Sequence, residues 1–307
     1  MSLLSLIAVF LIEQLRPLPY RALVADPART LADFIESRFN AGDYRHGVAA
    51  WLVVVVPAVG ATAALYWVFW QFSPLLALVL NVAVLYLTMG FRQFSHHYTE
   101  IQLALRLGDL DRARLLLSQW QGRSATLLGS GEVARLAIEE ALAASHRHVF
   151  AVLLWFVLLP GPCGAVLYRL SALLAQHWQR GALTGQGEFF KFSQQVFGII
   201  DWLPLRTTAA AFAIVGDFED AVYCWRNQAG QWTDRDLGIV LASGAGALGV
   251  QLGRPVMESG EVTDRSELGL GDPADVDFMQ SAVGLVWRAI VLWMLLLFLL
   301  GLASLVG

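Results

Sequence analysis

The sequence predicts an all-α, polytopic integral membrane protein with three or four spanning helices, one of them broken at mid-membrane, and amphipathic cytoplasmic helices. Residues 284–306 contain a single charged side chain, Arg288, and provide enough apolar helix to cross a hydrocarbon core of roughly 30 Å. The composition agrees, because 57% of the 307 residues are hydrophobic and only 15% are charged. About a quarter of the residues in a soluble domain are charged, so the membrane assignment does not rest on one segment.

The N-terminal segment, residues 1–48, is predicted to be a membrane-associated helix followed by a cytoplasmic stretch. Its apolar run from Leu3 to Ile12 is short for a spanning helix and suits an interfacial one better. Glu13 followed by Arg16 predicts the exit of this helix into water. We expect no cleaved signal peptide, because no basic residue precedes the run and no small-residue cleavage site follows it.

Residues 49–91 are predicted to form a transmembrane hairpin. Its spans are Ala49–Gln71 and Leu75–Phe91, joined by the short uncharged turn Phe72-Ser73-Pro74. Arginines flank both outer ends of the hairpin, at positions 16, 21, 29, 38 and 45 before it and at 92, 106, 112, 114 and 123 after it. Because cytoplasmic flanks collect cations, both ends and the helical segment 92–148 are placed in the cytoplasm.

Residues 149–176 are predicted to be a broken membrane helix. Pro160-Gly161-Pro162-Cys163-Gly164 places two prolines and two glycines within five residues, which a continuous helix cannot accommodate. Irregular backbone at that depth persists only against protein or a water-filled cavity. Two half-helices around a polar pocket, a re-entrant hairpin and a simple kink between packed neighbours all fit the pattern.

The remaining chain divides into a polar helical region, residues 177–283, and the C-terminal transmembrane helix, residues 284–307. Asp109 after Gly108 and Asp217 after Gly216 are both interpreted as helix N-caps, not as copies of an internal repeat. Cys163 and Cys224 are too few for a disulfide framework and lack metal-ligand spacing, so both are interpreted as apolar fillers.

Several functions are excluded or disfavoured by the sequence. A net charge of −4 argues against a nucleic-acid surface. The chain contains no G-x-x-x-x-G-K-[ST] motif and a single lysine, Lys191, which excludes a conventional P-loop. The G-x-G-x-x-G match at Gly244–Gly249 is rejected as a dinucleotide site because no βαβ pattern surrounds it, and its small residues predict close helix packing or close approach of a ligand. Histidines 96, 97, 146 and 148 lack i,i+4 spacing and are interpreted as interfacial.

Motifs spread over most of the chain resemble the cobinamide-phosphate synthase (CobD/CbiB) family. The resemblance is strongest near the C-terminus and is carried by the stretch Ala242–Gly253, by Gly260-Glu261, by Leu270-Gly271-Asp272 and by Trp287 in the last helix. Further matches are Glu140 after Arg135, Tyr168-Arg169 after the membrane break, and Leu203-Pro204-x-Arg206.

This resemblance implies a multi-pass protein of the bacterial inner membrane that acts in cobalamin biosynthesis. Members of the family form an amide between adenosylcobyric acid and an aminopropanol-type amine or its phosphate, using ATP. The implied partners are the lipid bilayer and a corrinoid substrate, and the implied cofactors are Mg²⁺ and ATP. The sequence assigns neither metal ligands nor an oligomeric state.

The resemblance also implies candidate site residues. Glu140 and Asp201 are the predicted catalytic residues, as candidates for metal or amine contact. Predicted substrate contacts are Arg123 and Arg206, which would face phosphate or carboxylate charge, together with Tyr168, Ser243, Gly244, Gly246 and Gly249.

The middle of the chain resembles a second family. Asp201-Trp202-Leu203-Pro204-Leu205-Arg206 is similar to a motif of AmpE, a related family of inner-membrane proteins linked to β-lactamase regulation, and the phrase Tyr98 followed by Leu105-x-x-Gly108-Asp109 also resembles that family. Three segments that carry acidic residues in the synthases lack those residues in this chain. They are Ser171–Gln176, Phe197-Gly198 and Ala144-Ser145. The alternative function is therefore a non-catalytic, AmpE-like regulatory protein, in which the same residues would be structural.

Overall fold

A computed structural model describes residues 2–15, 24, 26–182, 188–258 and 261–306. The described chain is almost entirely helical, which confirms the predicted fold class. Its helices, in chain order, are α1 (Ser2–Leu15), α2 (Asp26–Phe39), α3 (Tyr44–Phe72), α4 (Pro74–Thr88), α5 (Phe91–Arg106), α6 (Leu110–Gln121), α7 (Ser130–Ser145), α8 (Ala151–Leu158), α9 (Cys163–Ala182), α10 (Phe189–Val215), α11 (Phe218–Asn227), α12 (Arg235–Leu248) and α13 (Val276–Val306).

Short irregular elements complete the description. A π-helical turn, His146–Phe150, separates α7 from α8, and a 3₁₀ turn, Ala229–Gln231, precedes α12. Four short strands lie between α12 and α13: β1 (Val250–Gln251), β2 (Val256–Glu258), β3 (Glu261–Thr263) and β4 (Asp272–Pro273). Strand β1 pairs with β4 in parallel, and β2 pairs with β3 in antiparallel. Residues 259 and 260, including Gly260 of the Gly260-Glu261 motif, lie outside the described part of the chain.

Four described helices are long and apolar enough to cross a membrane: Tyr44–Phe72, Ser130–Leu158, Phe189–Val215 and Val276–Ala303. The first contains the predicted span 49–71, and the last covers the predicted span 284–306 as far as residue 303. The segment 130–158 begins within the stretch predicted to be cytoplasmic, and 189–215 lies within the stretch predicted to be polar. Neither segment was predicted in full as a membrane span, because buried polar side chains interrupt its apolar residues. The chain is a multi-pass membrane protein.

Two predicted membrane elements differ from the structure in extent. The second span of the hairpin, predicted over Leu75–Phe91, is the 15-residue helix α4, which begins with Pro74 at its first turn and ends at Thr88. The predicted interruption at Pro160–Gly164 is confirmed, because α8 ends at Leu158 and α9 begins at Cys163. The helix that precedes the interruption, however, extends back to Ser130 instead of beginning at 149.

The chain divides into two compact units. Unit 1 contains residues 1–90 and 151–203, and its core is an aromatic and aliphatic cluster that includes Trp51, Trp178, Phe189 and Phe190. Helix α1 packs on α4 and buries Leu6, Val9 and Glu13, which share one helical face. The prediction that Glu13 marks an exit into water is therefore wrong: only 3% of this residue is exposed, because the packed face of α1 continues through it. Arg16 lies outside the described residues.

Unit 2 contains residues 91–150 and 204–307. Phe150 and Phe212 meet edge to face at 5.6 Å between ring centroids, and the buried hydroxyl of Tyr98 donates to the Met279 carbonyl at 2.7 Å. Asp109 and Asp217 are N-caps, as predicted: the Asp109 carboxylate accepts from the Arg112 amide at 3.0 Å, and that of Asp217 accepts from the Asp220 amide at 3.1 Å.

Candidate functional site

Asp201 and Tyr168, both predicted from the resemblance, are brought together in unit 1. The Tyr168 hydroxyl, on α9, donates a hydrogen bond of 3.0 Å to Oδ1 of Asp201 on α10. Both residues are buried, and the Tyr168 ring lies 5.7 Å from that of Phe197. A buried carboxylate that accepts from a phenol is oriented by this bond, because the phenolic O–H fixes one of its two oxygens.

Glu140 is placed in unit 2, beside predicted arginine charge. This half-buried residue on α7 lies within electrostatic range of Arg147 and Arg123, and of its neighbour Glu139. Arg123 itself is exposed in the loop that follows α6. The structure therefore brings Glu140 and Arg123 into one electrostatic group, with Arg147 as a second cation that the sequence analysis did not single out.

The neighbouring acid, Glu139, anchors a buried network that sequence reasoning missed. Its carboxylate accepts from the Gly253 amide at 2.8 Å and from the guanidinium of Arg265. The same guanidinium lies 4.7 Å from the centroid of the Trp232 ring, in cation–π contact. Only 5% of Glu139 is exposed, so its charge is compensated by these fixed donors instead of by water.

Arg135 extends this network by one helical turn. It lies four residues before Glu139 on α7, is 7% exposed, and directs Nη2 at the Pro255 carbonyl, 3.5 Å away. Arg254, between Gly253 and Pro255, has a φ of 70° and pairs with Glu267 at 2.8 Å. A left-handed arginine is uncommon and requires the surrounding structure to hold it. We call Glu139, Arg135, Arg254 and Arg265 the acid–arginine cluster.

The glycine at position 253 is required by this geometry. Its φ is +77°, and a Cβ added there would lie 2.0 Å from the Ser266 carbonyl oxygen. Only glycine permits both the conformation and the close approach of the two backbone segments. Gly253 thereby allows its own amide to reach Glu139.

The predicted substrate-contact segment Ser243–Gly249 forms the C-terminal half of α12 and its cap. Leu237–Leu241, which precedes it, is helical as well, so no strand leads into the G-x-G-x-x-G match. The Ser243 hydroxyl donates to the Ala209 carbonyl at 2.8 Å. A Cβ on Gly244 would meet Leu142 at 2.8 Å, and one on Gly246 would meet the Asp220 carbonyl oxygen at 2.4 Å. These residues serve close helix packing, one of the two roles predicted for them.

Gly249 differs from the other glycines of this segment. It ends α12 in a left-handed conformation, with a φ of 65°, and a Cβ there would have no neighbour within 4 Å. Arg206, the other predicted arginine, is half-buried on α10 and belongs to unit 2. Contact of Ser243, Gly244, Gly246, Gly249 and Arg206 with a substrate stays a prediction.

One group of side chains in the described chain could hold a metal ion. It comprises Asp33 and Glu36 on α2 and His177 on α9, whose ligand atoms all lie within 4.8 Å of one another. None of the three was singled out by the sequence analysis, because Asp33 and Glu36 fall in an ordinary amphipathic helix and His177 follows 141 residues after Glu36. A contact at that separation carries no local signal.

The fold and its buried polar contacts define a class of protein: a multi-pass, α-helical membrane protein that buries an acid–arginine pair, Glu139 with Arg265, and a carboxylate, Asp201, that accepts from a tyrosine. Intramembrane and buried ionisable groups of this kind usually mark function. The family model described as CobD/Cbib protein matches residues 26–286. The chain belongs to the CobD/CbiB family.

Individual relatives agree with the family match. A protein of Stutzerimonas stutzeri named "Cobalamin biosynthesis protein CobD" is 34% identical, over 96% of each chain. A protein of the same name from Chromobacterium violaceum is 37% identical over 72% of this chain and 70% of its own. "Cobalamin biosynthesis protein CbiB" of Salmonella typhimurium is 26% identical over 82% of this chain and 80% of its own. No solved structure matches.

Proposed function

We propose that this protein is an adenosylcobinamide-phosphate synthase, a membrane enzyme that forms an amide between the carboxylate of adenosylcobyric acid and an aminopropanol-type amine or its phosphate. The observation that carries the proposal is the similarity to a cobalamin biosynthesis protein over 96% of both chains. A match of that extent includes every element that holds a candidate residue, so the proposal covers the whole chain and not a shared membrane segment.

The candidate residues supply charges that suit such substrates. Arg123 and Arg206 would face phosphate or carboxylate groups, since guanidinium binds both in a bidentate manner. Asp201 in unit 1, oriented by the Tyr168 hydroxyl 3.0 Å away, is one candidate for contact with the amine of the incoming substrate. Glu140 in unit 2 is a separate candidate for that role. A carboxylate that accepts from an ammonium group can hold it and receive a proton from it as the amide forms.

ATP is the expected co-substrate, and it would supply the driving force for joining an acid to an amine. The arginines near Glu140 suit phosphate charge, and Glu139 is a second carboxylate beside it, whereas the Asp201 carboxylate accepts from a tyrosine. Mg²⁺ prefers several oxygen ligands in octahedral geometry. In proteins it is usually held by one or two carboxylates together with water and substrate phosphates, so Glu140 or Asp201 could supply a ligand to a Mg²⁺ ion that the ATP phosphates also hold.

The bacterial inner membrane is the proposed location, with the arginine-rich flanks of the hairpin in the cytoplasm. Support comes from the arginines on both outer ends of the hairpin and from the uncharged turn between its helices. With this orientation the exposed Arg123 would lie on the side of the membrane where ATP is available.

Rescue of a strain unable to make cobinamide phosphate tests the proposed function. We expect the wild-type protein to restore corrinoid-dependent growth, Asp201→Asn and Glu140→Gln to reduce the rescue at least 10-fold, and Glu219→Gln, an exposed acid of α11, to leave it unchanged. Immunoblots of the membrane fraction check that all variants accumulate equally. Failure of the wild-type protein to rescue, at normal levels in the membrane, would contradict the proposal and favour the AmpE-like alternative.

A further inference from the structure

We propose that Asp33, Glu36 and His177 form a binding site for a divalent transition-metal ion of the class that includes Zn²⁺, Co²⁺ and Mn²⁺. The three residues belong to unit 1, and their ligand atoms already lie within 4.8 Å of one another. The site is separate from the predicted catalytic residues: His177 lies nine residues beyond Tyr168 on α9, about 13 Å along the helix axis. The inference does not rest on the proposed function.

The geometry of the three side chains favours one shared ligand. Asp33 and Glu36 are three residues apart on α2 and therefore project from the same helical face. His177 reaches that face from α9, with its Nε2 atom 2.7 Å from Oδ1 of Asp33. Ligands of a bound Zn²⁺ lie about 2.0–2.2 Å from the ion, so modest side-chain rotation from the observed positions would complete a three-ligand set.

The backbone that carries these ligands is fixed by packing. Trp178, the neighbour of His177, is fully buried and donates from Nε1 to the Ala32 carbonyl, the neighbour of Asp33, at 3.4 Å. Ile35, the neighbour of Glu36, is buried in the same core cluster. The junction between α2 and α9 thus holds the three ligands on rigid elements, which a metal site needs to bind tightly.

The electrostatics of the group also favour a cation. The carboxylates of Asp33 and Glu36 belong to one group whose ligand atoms all lie within 4.8 Å of one another. Two carboxylates side by side are mutually repulsive, and a divalent ion between them removes that repulsion while satisfying both. The neutral imidazole of His177 would supply the third ligand.

The ligand types select the class of ion. Imidazole together with carboxylates suits Zn²⁺, Co²⁺ and Mn²⁺, whereas Mg²⁺ and Ca²⁺ prefer sites made of oxygen alone. We expect Zn²⁺ to bind more tightly than Co²⁺ or Mn²⁺, and Mg²⁺ to bind most weakly of all. Three protein ligands leave at least one coordination position for water.

Co²⁺ titration of the purified full-length protein tests this site. The protein would be prepared in detergent with a tag free of histidine, stripped of metal, and titrated with Co²⁺ while the visible d–d absorption is recorded. We expect one Co²⁺ per chain, displacement by Zn²⁺ but not by an excess of Mg²⁺, and at least a 10-fold weaker affinity in Asp33→Asn, Glu36→Gln and His177→Ala.

A matched control is offered by a second histidine–carboxylate pair. His96 lies 3.5 Å from Glu100 on α5; His96 is exposed and Glu100 is half-buried, and among the described residues no third ligand joins them. His96→Ala should keep the wild-type Co²⁺ signal. Thermal unfolding without metal checks that Glu36→Gln, which keeps the shape of the side chain, remains folded, and added Zn²⁺ should raise the melting temperature of the wild type but not of this variant.

Several results would overturn the proposal. A wild-type protein that shows no Co²⁺ absorption at millimolar metal has no such site. A signal that survives unchanged in folded Glu36→Gln and His177→Ala, or that disappears in His96→Ala, would locate the metal elsewhere. None of these results bears on rescue of the cobinamide-phosphate strain, so the failure of one proposal is distinguishable from the failure of the other.

Discussion

At the scale of single residues, the position of buried charge in this protein depends on partners far away in the sequence. Glu139 and Glu140 are adjacent on α7, yet Glu139 meets Arg265, 126 residues further along the chain, while Glu140 lies near Arg123 and Arg147. Nothing in the local pattern distinguishes the two acids. Asp109 and Asp217, by contrast, were predicted as N-caps because a cap is specified by its own neighbours.

The acid–arginine cluster gives a first prediction on stability. Glu139→Gln should lower the free energy of unfolding by about 3 kcal/mol, because removing one partner of a buried pair leaves the other charge uncompensated. The measurement is denaturant unfolding of the detergent-solubilised protein followed by tryptophan fluorescence.

The exposed pair formed by Glu267 and Arg254 is the control for that experiment. The Glu267 side chain is 63% exposed, so Glu267→Gln should change stability by less than about 1 kcal/mol. Equal effects of the two substitutions would show that burial does not set the strength of the Glu139 interaction.

At the scale of the elements, helix ends and breaks were predictable and helix burial was not. Pro160, Gly161 and Pro162 lie between α8 and α9, and a helix ends there because two prolines and a glycine in succession do not continue one. Residues 130–148 and 189–215 were predicted to lie outside the membrane, since charged residues such as Arg135, Glu139 and Asp201 interrupt their apolar runs. Glu139 meets Arg265 and Asp201 accepts from Tyr168, and periodicity alone does not reveal such contacts between distant parts of the chain.

The packing of α5 on α6 gives a second prediction, on pH dependence. The ring of His97 stacks on that of Trp120 at 6.1 Å, and its Nδ1 atom is buried without a hydrogen-bond partner in the described chain. Burial, reinforced by the neighbouring His96 and opposed by Glu100, lowers the pKa of His97. The folded state therefore binds a proton less readily than the unfolded state.

Stability should accordingly fall as the pH drops below about 6.5, the pKa of an unperturbed histidine, and level off below the folded-state pKa. His97→Gln should remove this part of the pH dependence, whereas His96→Gln, at an exposed position, should retain most of it. Thermal unfolding between pH 5 and 8 measures the effect, and identical profiles for the wild type and His97→Gln would contradict the assignment.

At the scale of the whole molecule, composition was the most informative signal. The excess of hydrophobic residues and three long apolar runs predicted a multi-pass helical protein, and the described chain contains four helices that could span a membrane. From the sequence, the candidate site could be predicted only as a set of residues in motifs that resemble those of a known family. Its geometry depends on contacts such as Tyr168 with Asp201 and Glu139 with Arg265, which join distant parts of the chain.

The orientation of the hairpin gives a third prediction. In a Cys163→Ala, Cys224→Ala background, Phe72→Cys at the turn between α3 and α4 should react with a membrane-impermeant maleimide from outside intact spheroplasts. Ser124→Cys, in the exposed loop after α6, should react only after permeabilisation. The reverse pattern would invert the proposed topology.

The central claim, that this membrane protein joins a corrinoid acid to an amine, is tested most directly by mass spectrometry of a purified reaction. The full-length protein in detergent would be incubated with adenosylcobyric acid, an aminopropanol-type amine or its phosphate, ATP and Mg²⁺. The account predicts a new corrinoid whose mass equals acid plus amine minus water, absent without ATP and strongly reduced in Asp201→Asn. Unchanged adenosylcobyric acid after incubation with folded wild-type protein and each amine would contradict it.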